Sequence, residues 1–164
     1  MNSHIKNIYK KIVEQSKKKF FFVVFFVRKK LEAKIEIFQL NLIILLWYMK
    51  KKEFKQSEIT LLINIFLKDL ELLFFESGEG ESRIPKKMRK MTENFYGRLI
   101  SYSKQFDMIF KENKSEVIEK LKINFNEEKI KYDKISKYLE FNLKHLSKIE
   151  KKDFEKLTFY EVSK

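Results

Sequence analysis

The sequence contains no cysteine, a single proline and only three glycines in 164 residues. The absence of cysteine excludes a disulfide framework, a thiolate metal site and a cysteine nucleophile, and it is compatible with a reducing compartment. So few turn-forming residues leave little room for the connections of a β-sandwich, and they indicate long helices instead. Because 44% of the residues are hydrophobic, the chain can still bury an ordinary core. We therefore predict one compact all-α domain spanning residues 1–164.

Histidine is almost as scarce, and the two histidines, His4 and His145, lie far apart in the sequence. A metal site needs three or four clustered ligands, which two isolated histidines do not supply. The sequence also lacks a nucleophile elbow and a phosphate-binding loop of the GxxxxGK[ST] type. We therefore expect no catalytic residue, no metal and no cofactor, and a small metabolic enzyme is the disfavoured interpretation.

Positive charge is abundant: 36 basic against 23 acidic residues give a net charge of +13. Only four of the basic residues are arginine and Ala33 is the only alanine, a bias typical of an AT-rich coding sequence that fills exposed positions with lysine. A solvated lysine surface is the simpler interpretation. A basic helical module that binds RNA or an anionic membrane is the alternative. Arginine that persists under such a bias indicates a need for bidentate hydrogen bonding, which lysine cannot provide.

Two hydrophobic runs stand out, and neither is predicted to span a membrane. Phe20–Val27 has eight residues, far fewer than the roughly 20 of a spanning helix. Its phenylalanines and valines favour a non-helical connection, which is either a buried strand-like segment or an interfacial anchor. Ile35–Met49 is longer but contains Glu36, Gln39 and Asn41, so we predict that it forms the central core helix.

Apolar periodicity and capping residues predict about six helices. Ser3, Ser57 and Asn126 are the predicted N-caps of the first, third and sixth helices. The predicted segments are 3–18, 33–52, Ser57 to Gly78, Pro85 to about Phe110, Ser115 to about Ile123, and Asn126 to about Ile149. The last segment, 153–162, is predicted as a short helix or an extended tail.

The stretch Ser77–Arg98 contains all three glycines, the only proline and three of the four arginines. Its basic cluster falls on the first turns of a predicted helix, where the helix dipole disfavours cations. Either Glu79 and Glu81 compensate this charge locally, or the cluster docks something anionic: an RNA backbone, lipid headgroups or an acidic partner segment. The predicted partner-binding residues are Arg83, Lys86, Lys87, Arg89, Lys90, Tyr96 and Arg98.

Structural roles are predicted for the remaining unusual residues of this stretch. Gly78, Gly80 and Pro85 form the turn and open the following helix, and Phe95 belongs to the core. Gly97 lies inside the helix, where glycine costs roughly 1 kcal/mol relative to alanine. We therefore expect Gly97 to permit the close approach of another helix.

Two motifs in this stretch carry a family resemblance. RIPKKMRKM at Arg83–Met91 and NFYGR at Asn94–Arg98 resemble the signature of the ubiquinol–cytochrome c chaperone family. The acidic turn Gly78–Glu81 and the segment FLKDLE at Phe66–Glu71 are also similar to that family. The resemblance extends over about residues 5–125 and is closest over 66–99. The chain departs from the family pattern around Phe26–Lys30 and has Asn41 where histidine is common.

The resemblance implies a non-catalytic assembly factor for ubiquinol–cytochrome c reductase, respiratory complex III. It implies binding to newly made cytochrome b or another complex III subunit. The ribosome, a small partner protein and an anionic membrane surface are further candidate partners. The implied location is the cytoplasm, peripheral at the inner face of the membrane in a bacterium, or the matrix side of the inner membrane in a mitochondrion.

Overall fold

The computed structural model describes residues 2–111 and 113–162, and this part of the chain is helical without any strand. The all-α fold predicted from the sequence is confirmed, with one helix more than expected. The elements are α1 (Asn2–Ser16), α2 (Phe20–Val23), α3 (Leu31–Lys51), α4 (Gln56–Glu76), α5 (Ile84–Ile109), α6 (Ser115–Phe125), α7 (Tyr132–Ser147) and a short 3₁₀ helix (Lys151–Lys156).

Helix α3 is the centre of the fold, as its composition predicted. It packs against α1, α4, α5, α6 and α7. From Ile35 to Met49 every residue is buried except Phe38, which is partly exposed. A helix that is apolar nearly all round can be stable in water only if other helices cover it on all sides. Among the helices described, none is long and apolar enough to cross a membrane.

A buried hydrogen-bond network joins α1, α3 and α7 through Asn41. The Asn41 amide donates to Ser16 Oγ at 3.0 Å, and its carbonyl oxygen accepts from the Tyr138 hydroxyl at 2.6 Å. Gln15 Nε2 in turn donates to the Tyr138 hydroxyl at 3.0 Å. Buried polar groups are tolerated when they are paired in this way. The network therefore fixes the relative position of three helices.

The Phe/Val-rich connection is only partly non-helical, which corrects the prediction. Phe20–Val23 forms one helical turn, α2, and residues 24–30 then lead to α3. The rings of Phe20, Phe21 and Phe25 pack around Tyr138 at centroid distances of 5.6, 5.4 and 5.9 Å. This tertiary cluster outweighs the extended preference of phenylalanine and valine. The segment is thus mainly core.

Three predicted N-caps are wrong. Ser3 lies within α1, and Ser57 is the second residue of α4, whose preceding Lys55 N–H donates to the Glu58 carboxylate at 3.1 Å. Asn126 ends α6 in the left-handed conformation (φ 53°), and α7 begins only at Tyr132. Asparagine favours both N-caps and left-handed C-terminal positions, so its presence near a boundary does not say which helix it belongs to.

Candidate functional site

The acidic turn before α5 is built as the sequence predicted. Gly78 has φ +85°, the left-handed conformation that terminates α4, and Pro85 lies in the first turn of α5. Glu79 accepts a hydrogen bond from Lys87 Nζ at 2.6 Å, and this bond holds the pKa of Glu79 below its usual value. Lys87 Nζ also lies 4.3 Å from the centre of the Phe74 ring. Local compensation therefore accounts for Lys87.

The rest of the basic cluster is not compensated in this way. Arg83, Lys86, Arg89 and Lys90 are all exposed, and none has an ion-pair partner among residues 2–111 and 113–162. Arg83 acts on Glu79 only at longer range, where it contributes to the lowered pKa of that carboxyl. The start of α5 thus presents positive charge to solvent at its positive dipole end. Stability alone does not explain this arrangement.

Arg98 lies beneath the surface and binds a residue of α3. Its Nε donates to Glu36 at 3.0 Å and its Nη2 donates to the other Glu36 oxygen at 2.5 Å. The side chains of Arg98 and Glu36 are only 19% and 10% exposed. Burial raises the pKa of Glu36 despite the opposing effect of Arg98. Arg98 therefore connects α3 to α5, and a contact with a partner stays a prediction.

A cleft of about 180 Å³ opens beside this ion pair. Gln39 lines it, and the buried Gln39 Oε1 has no hydrogen-bond partner in the described part of the chain. Through Leu31 and Ile35 the cleft adjoins an apolar groove of about 340 Å³ between α1, α3 and α4. The groove is lined by Tyr9, Leu31, Lys34, Ile35, Phe38, Phe66, Asp69, Leu70 and Leu73. The two depressions form a largely apolar surface next to α5.

Phe95 is fully buried against Phe66, at a centroid distance of 5.2 Å, as predicted for a core residue. The close approach predicted at Gly97 is made by no described helix of this chain, so an approach by a partner helix stays a prediction. Gly97 is exposed, and a Cβ placed on it would meet no described atom within 4 Å. Gly97 faces solvent, whereas the neighbouring Phe95 and Arg98 face inward.

The exposed side of α5 brings most of the predicted residues together. Positions three and four apart lie on one helix face. A stripe of exposed residues with this spacing consists of Lys86, Lys90, Glu93, Gly97 and Ile100. Arg89 and the 43% exposed Tyr96 flank this stripe, and Ile100 is 73% exposed. We name these seven residues the α5 face. Arg83 precedes it, while Lys87 and Arg98 point elsewhere.

A model of the family described as "Ubiquinol-cytochrome C chaperone" matches residues 24–160. The chain belongs to this family. It is also similar to a crystal structure of the Cbp3 homolog from Brucella abortus, with a TM-score of 0.80 and 20% sequence identity. That match covers 97% of this chain and 90% of the other. No curated protein sequence matches the chain. At this identity the structural match confirms the fold of the chaperone family.

Glu36 and Gln39 line the cleft of the candidate site, and sequence reasoning did not assign them to it. Both were noted only because polar residues argue against a membrane span. A carboxylate within an apolar central helix is costly to bury without a cation. This cost means that a buried Glu36 requires a cationic partner such as Arg98, and the sequence could have indicated a site in this way. In the described residues, no group of three or more histidines and carboxylates is arranged to hold a metal ion.

Proposed function

We propose that this chain is a non-catalytic assembly factor for ubiquinol–cytochrome c reductase that binds newly made cytochrome b through the α5 face. Membership of the ubiquinol–cytochrome c chaperone family supports a role in assembly of that complex. The choice of cytochrome b over other subunits follows the family resemblance. This function requires surfaces for a polypeptide and no catalytic step.

The exposed Gly97 is the main observation that supports docking of a partner on the α5 face. Glycine within a helix costs roughly 1 kcal/mol relative to alanine, and nothing in the described chain requires it here. A glycine without a side chain lets the backbone of a partner approach α5 closely. Tyr96 and Ile100 beside it supply apolar contact area. Arg89 and Lys90 supply positive charge for an acidic partner segment.

The groove between α1, α3 and α4 is suited to the apolar part of such a client. Its floor includes Phe38, Phe66 and Leu73, and it opens to solvent next to the Arg98–Glu36 pair. Segments of a membrane protein expose apolar surface before they are inserted and assembled. A shallow apolar groove beside a charged helix face can shield such a segment from water.

The place of action is part of the same proposal. We place the protein in the cytoplasm at the inner face of the membrane in a bacterium, or in the matrix of a mitochondrion. The ribosome and a small partner protein remain further candidate partners, because uncompensated basic residues at the start of α5 suit an anionic surface.

Affinity capture from solubilised membranes tests the client assignment. We expect the tagged protein to enrich cytochrome b, and deletion of its gene to lower membrane cytochrome b and complex III activity. Unchanged levels of both after deletion would contradict the proposal. Salt-sensitive binding to bulk RNA with no enrichment of cytochrome b would instead support the basic-module alternative.

Gly97→Ala should change stability and partner docking in opposite directions. We expect it to raise the free energy of unfolding by about 1 kcal/mol, because the new methyl group has space and alanine favours the helix. The same change should reduce capture of cytochrome b, since the methyl group would occupy the partner's contact. Urea unfolding and quantitative capture measure the two effects.

Asn64→Ala is a matched control, because Asn64 is exposed in α4 and alanine also improves helix propensity there. Asn64→Ala should raise stability without changing capture. If Gly97→Ala stabilises the protein and leaves capture intact, the α5 face is not the docking surface.

A further inference from the structure

Two apolar side chains of the Phe/Val-rich segment face solvent although their neighbours are core residues. Phe20, Phe21, Phe25 and Val27 are at most 7% exposed. Val23 and Phe26, in contrast, are 51% and 49% exposed. The core therefore anchors the segment, while two apolar side chains project from it. We name Val23 and Phe26 the apolar tip.

Phe26, whose side chain projects into solvent, has an unfavourable backbone conformation. Its φ is +61°, in the left-handed region where glycine and asparagine are usual and a bulky residue is a real outlier. Such a conformation costs roughly 1–2 kcal/mol for a residue with a Cβ. Hydrogen bonds on either side hold it: Val27 N–H donates to Phe21 O at 3.0 Å, and Lys131 N–H donates to Phe25 O at 2.9 Å. Because the Phe26 ring is half exposed, its partial burial does not offset this cost.

The chain on either side of the apolar tip is strongly basic. Residues 17–34 contain seven basic residues and one acidic residue, Glu32, and all seven basic residues are exposed. Lys18 and Lys30 approach Glu161 and Glu127, and the other five have no ion-pair partner in the described chain. The seven are Lys17, Lys18, Lys19, Arg28, Lys29, Lys30 and Lys34.

The lysines are placed against aromatic rings at the base of the tip. Lys131 Nζ lies 5.5 Å from the centre of the Phe26 ring, and Lys29 Nζ lies 5.6 Å from that of Phe22. Next to Phe22 a depression of about 460 Å³ is bordered by lysines and has an apolar floor. Its lining is Val13, Ser16, Lys17, Lys19, Phe22, Lys29, Lys34 and Phe38.

This combination fits the interface of an anionic lipid bilayer. Apolar tips can enter the boundary between headgroups and acyl chains, while lysine stems extend their ammonium groups to lipid phosphates. Each lysine near an anionic surface contributes about 1 kcal/mol. RNA would use the same lysines, but the aliphatic Val23 has no base-stacking role there. Charge complementarity together with an aliphatic contact therefore favours lipid.

We propose that the apolar tip and its surrounding lysines form a docking site for an anionic membrane surface, on which the protein lies peripherally. This inference rests on the membrane location in the proposed function, but the site is separate from the α5 face and does not depend on the identity of the client. It also gives a role to a segment that departs from the family pattern. Helix α3 begins at this site and extends about 30 Å from it.

Vesicle flotation with the purified full-length chain tests the proposal. We expect binding to phosphatidylcholine vesicles that contain phosphatidylglycerol, and little binding to phosphatidylcholine alone. Val23→Gln with Phe26→Asn should weaken binding about tenfold through lost apolar contact. Asparagine tolerates the left-handed backbone at position 26, so this variant should fold. Lys17→Gln, Lys19→Gln and Lys29→Gln together should weaken binding about a hundredfold.

Matched controls distinguish a site from general charge and hydrophobicity. Leu72→Gln with Phe75→Asn removes side chains of similar exposure (49% and 45%) from α4 and should leave binding unchanged. Lys50→Gln, Lys111→Gln and Lys120→Gln lower the net charge equally but lie elsewhere, so they should reduce binding far less. Absent binding to anionic vesicles, or equal losses for variants and controls, would overturn the proposal. So would tip variants that weaken binding of homopolymeric RNA but not of vesicles.

Discussion

Replacing Arg98 by alanine should lower the free energy of unfolding by about 3 kcal/mol, because it leaves a buried carboxylate without its cation. Arg98 supplies both hydrogen bonds that Glu36 receives from α5, and Glu36 retains only 10% exposure. The expected loss of stability lies at the lower end of the range for broken buried ion pairs, because 19% of the Arg98 side chain is exposed. Urea unfolding followed by circular dichroism measures it.

The loss should depend on pH in a defined direction. The pKa of Glu36 is already raised in the folded protein by burial, so folding favours its protonated form. Without Arg98 this pKa rises further, because the guanidinium is what opposes the effect of burial. The penalty is therefore small near the ordinary glutamate pKa of about 4.3 and grows as pH rises through the folded pKa of Glu36.

Arg89→Ala is the matched control for Arg98→Ala. Arg89 is exposed on the same helix and has no ion-pair partner among the described residues. Its replacement should change stability by no more than about 0.5 kcal/mol. If Arg89 contacts the client, its loss weakens capture of cytochrome b without unfolding the protein. Equal stability losses for the two variants would contradict a structural role specific to Arg98.

Helix α3 and the turn that leads into α5 show how much of the fold could be predicted from the sequence. An apolar run such as Ile35–Met49 has only one stable environment in water, so both the existence of α3 and its central position could be predicted. The turn at Gly78 and Pro85 follows from backbone geometry that few residues adopt. These features depend on the residues of one segment and on their backbone preferences, so they can be predicted from the sequence.

Features that depend on distant residues were not predictable in the same way. The helical turn α2 exists because Tyr138, more than a hundred residues away, lies among the Phe20 and Phe25 rings. The same holds for Arg98, whose partner Glu36 is on another helix, and for Gly97, whose surroundings depend on which face of α5 is covered. In each case the residue type indicated a constraint, and only the fold showed what imposes it.

Asn41→Leu should lower the free energy of unfolding by about 2 kcal/mol, the cost of leaving a buried donor without an acceptor. The Tyr138 hydroxyl loses the acceptor that it meets at 2.6 Å, and Tyr138 is only 1% exposed, so water cannot replace it. Tyr138→Phe should cost a similar amount, because it leaves the Asn41 carbonyl oxygen without a donor and the Gln15 amide without an acceptor.

The double variant Asn41→Leu with Tyr138→Phe decides whether the network acts as a unit. The double variant removes both the Tyr138 hydroxyl and the Asn41 carbonyl oxygen, so it leaves fewer polar groups unpaired than the two single changes added together. It should therefore lose about 1 kcal/mol less than the sum of the two. A double-mutant cycle from urea unfolding measures this coupling. Additive losses would mean that the two side chains stabilise the fold through independent packing. A positive coupling would show that polar pairing inside an apolar helix joins α1, α3 and α7, and so positions α3 beneath both the groove and the lysines that flank the apolar tip.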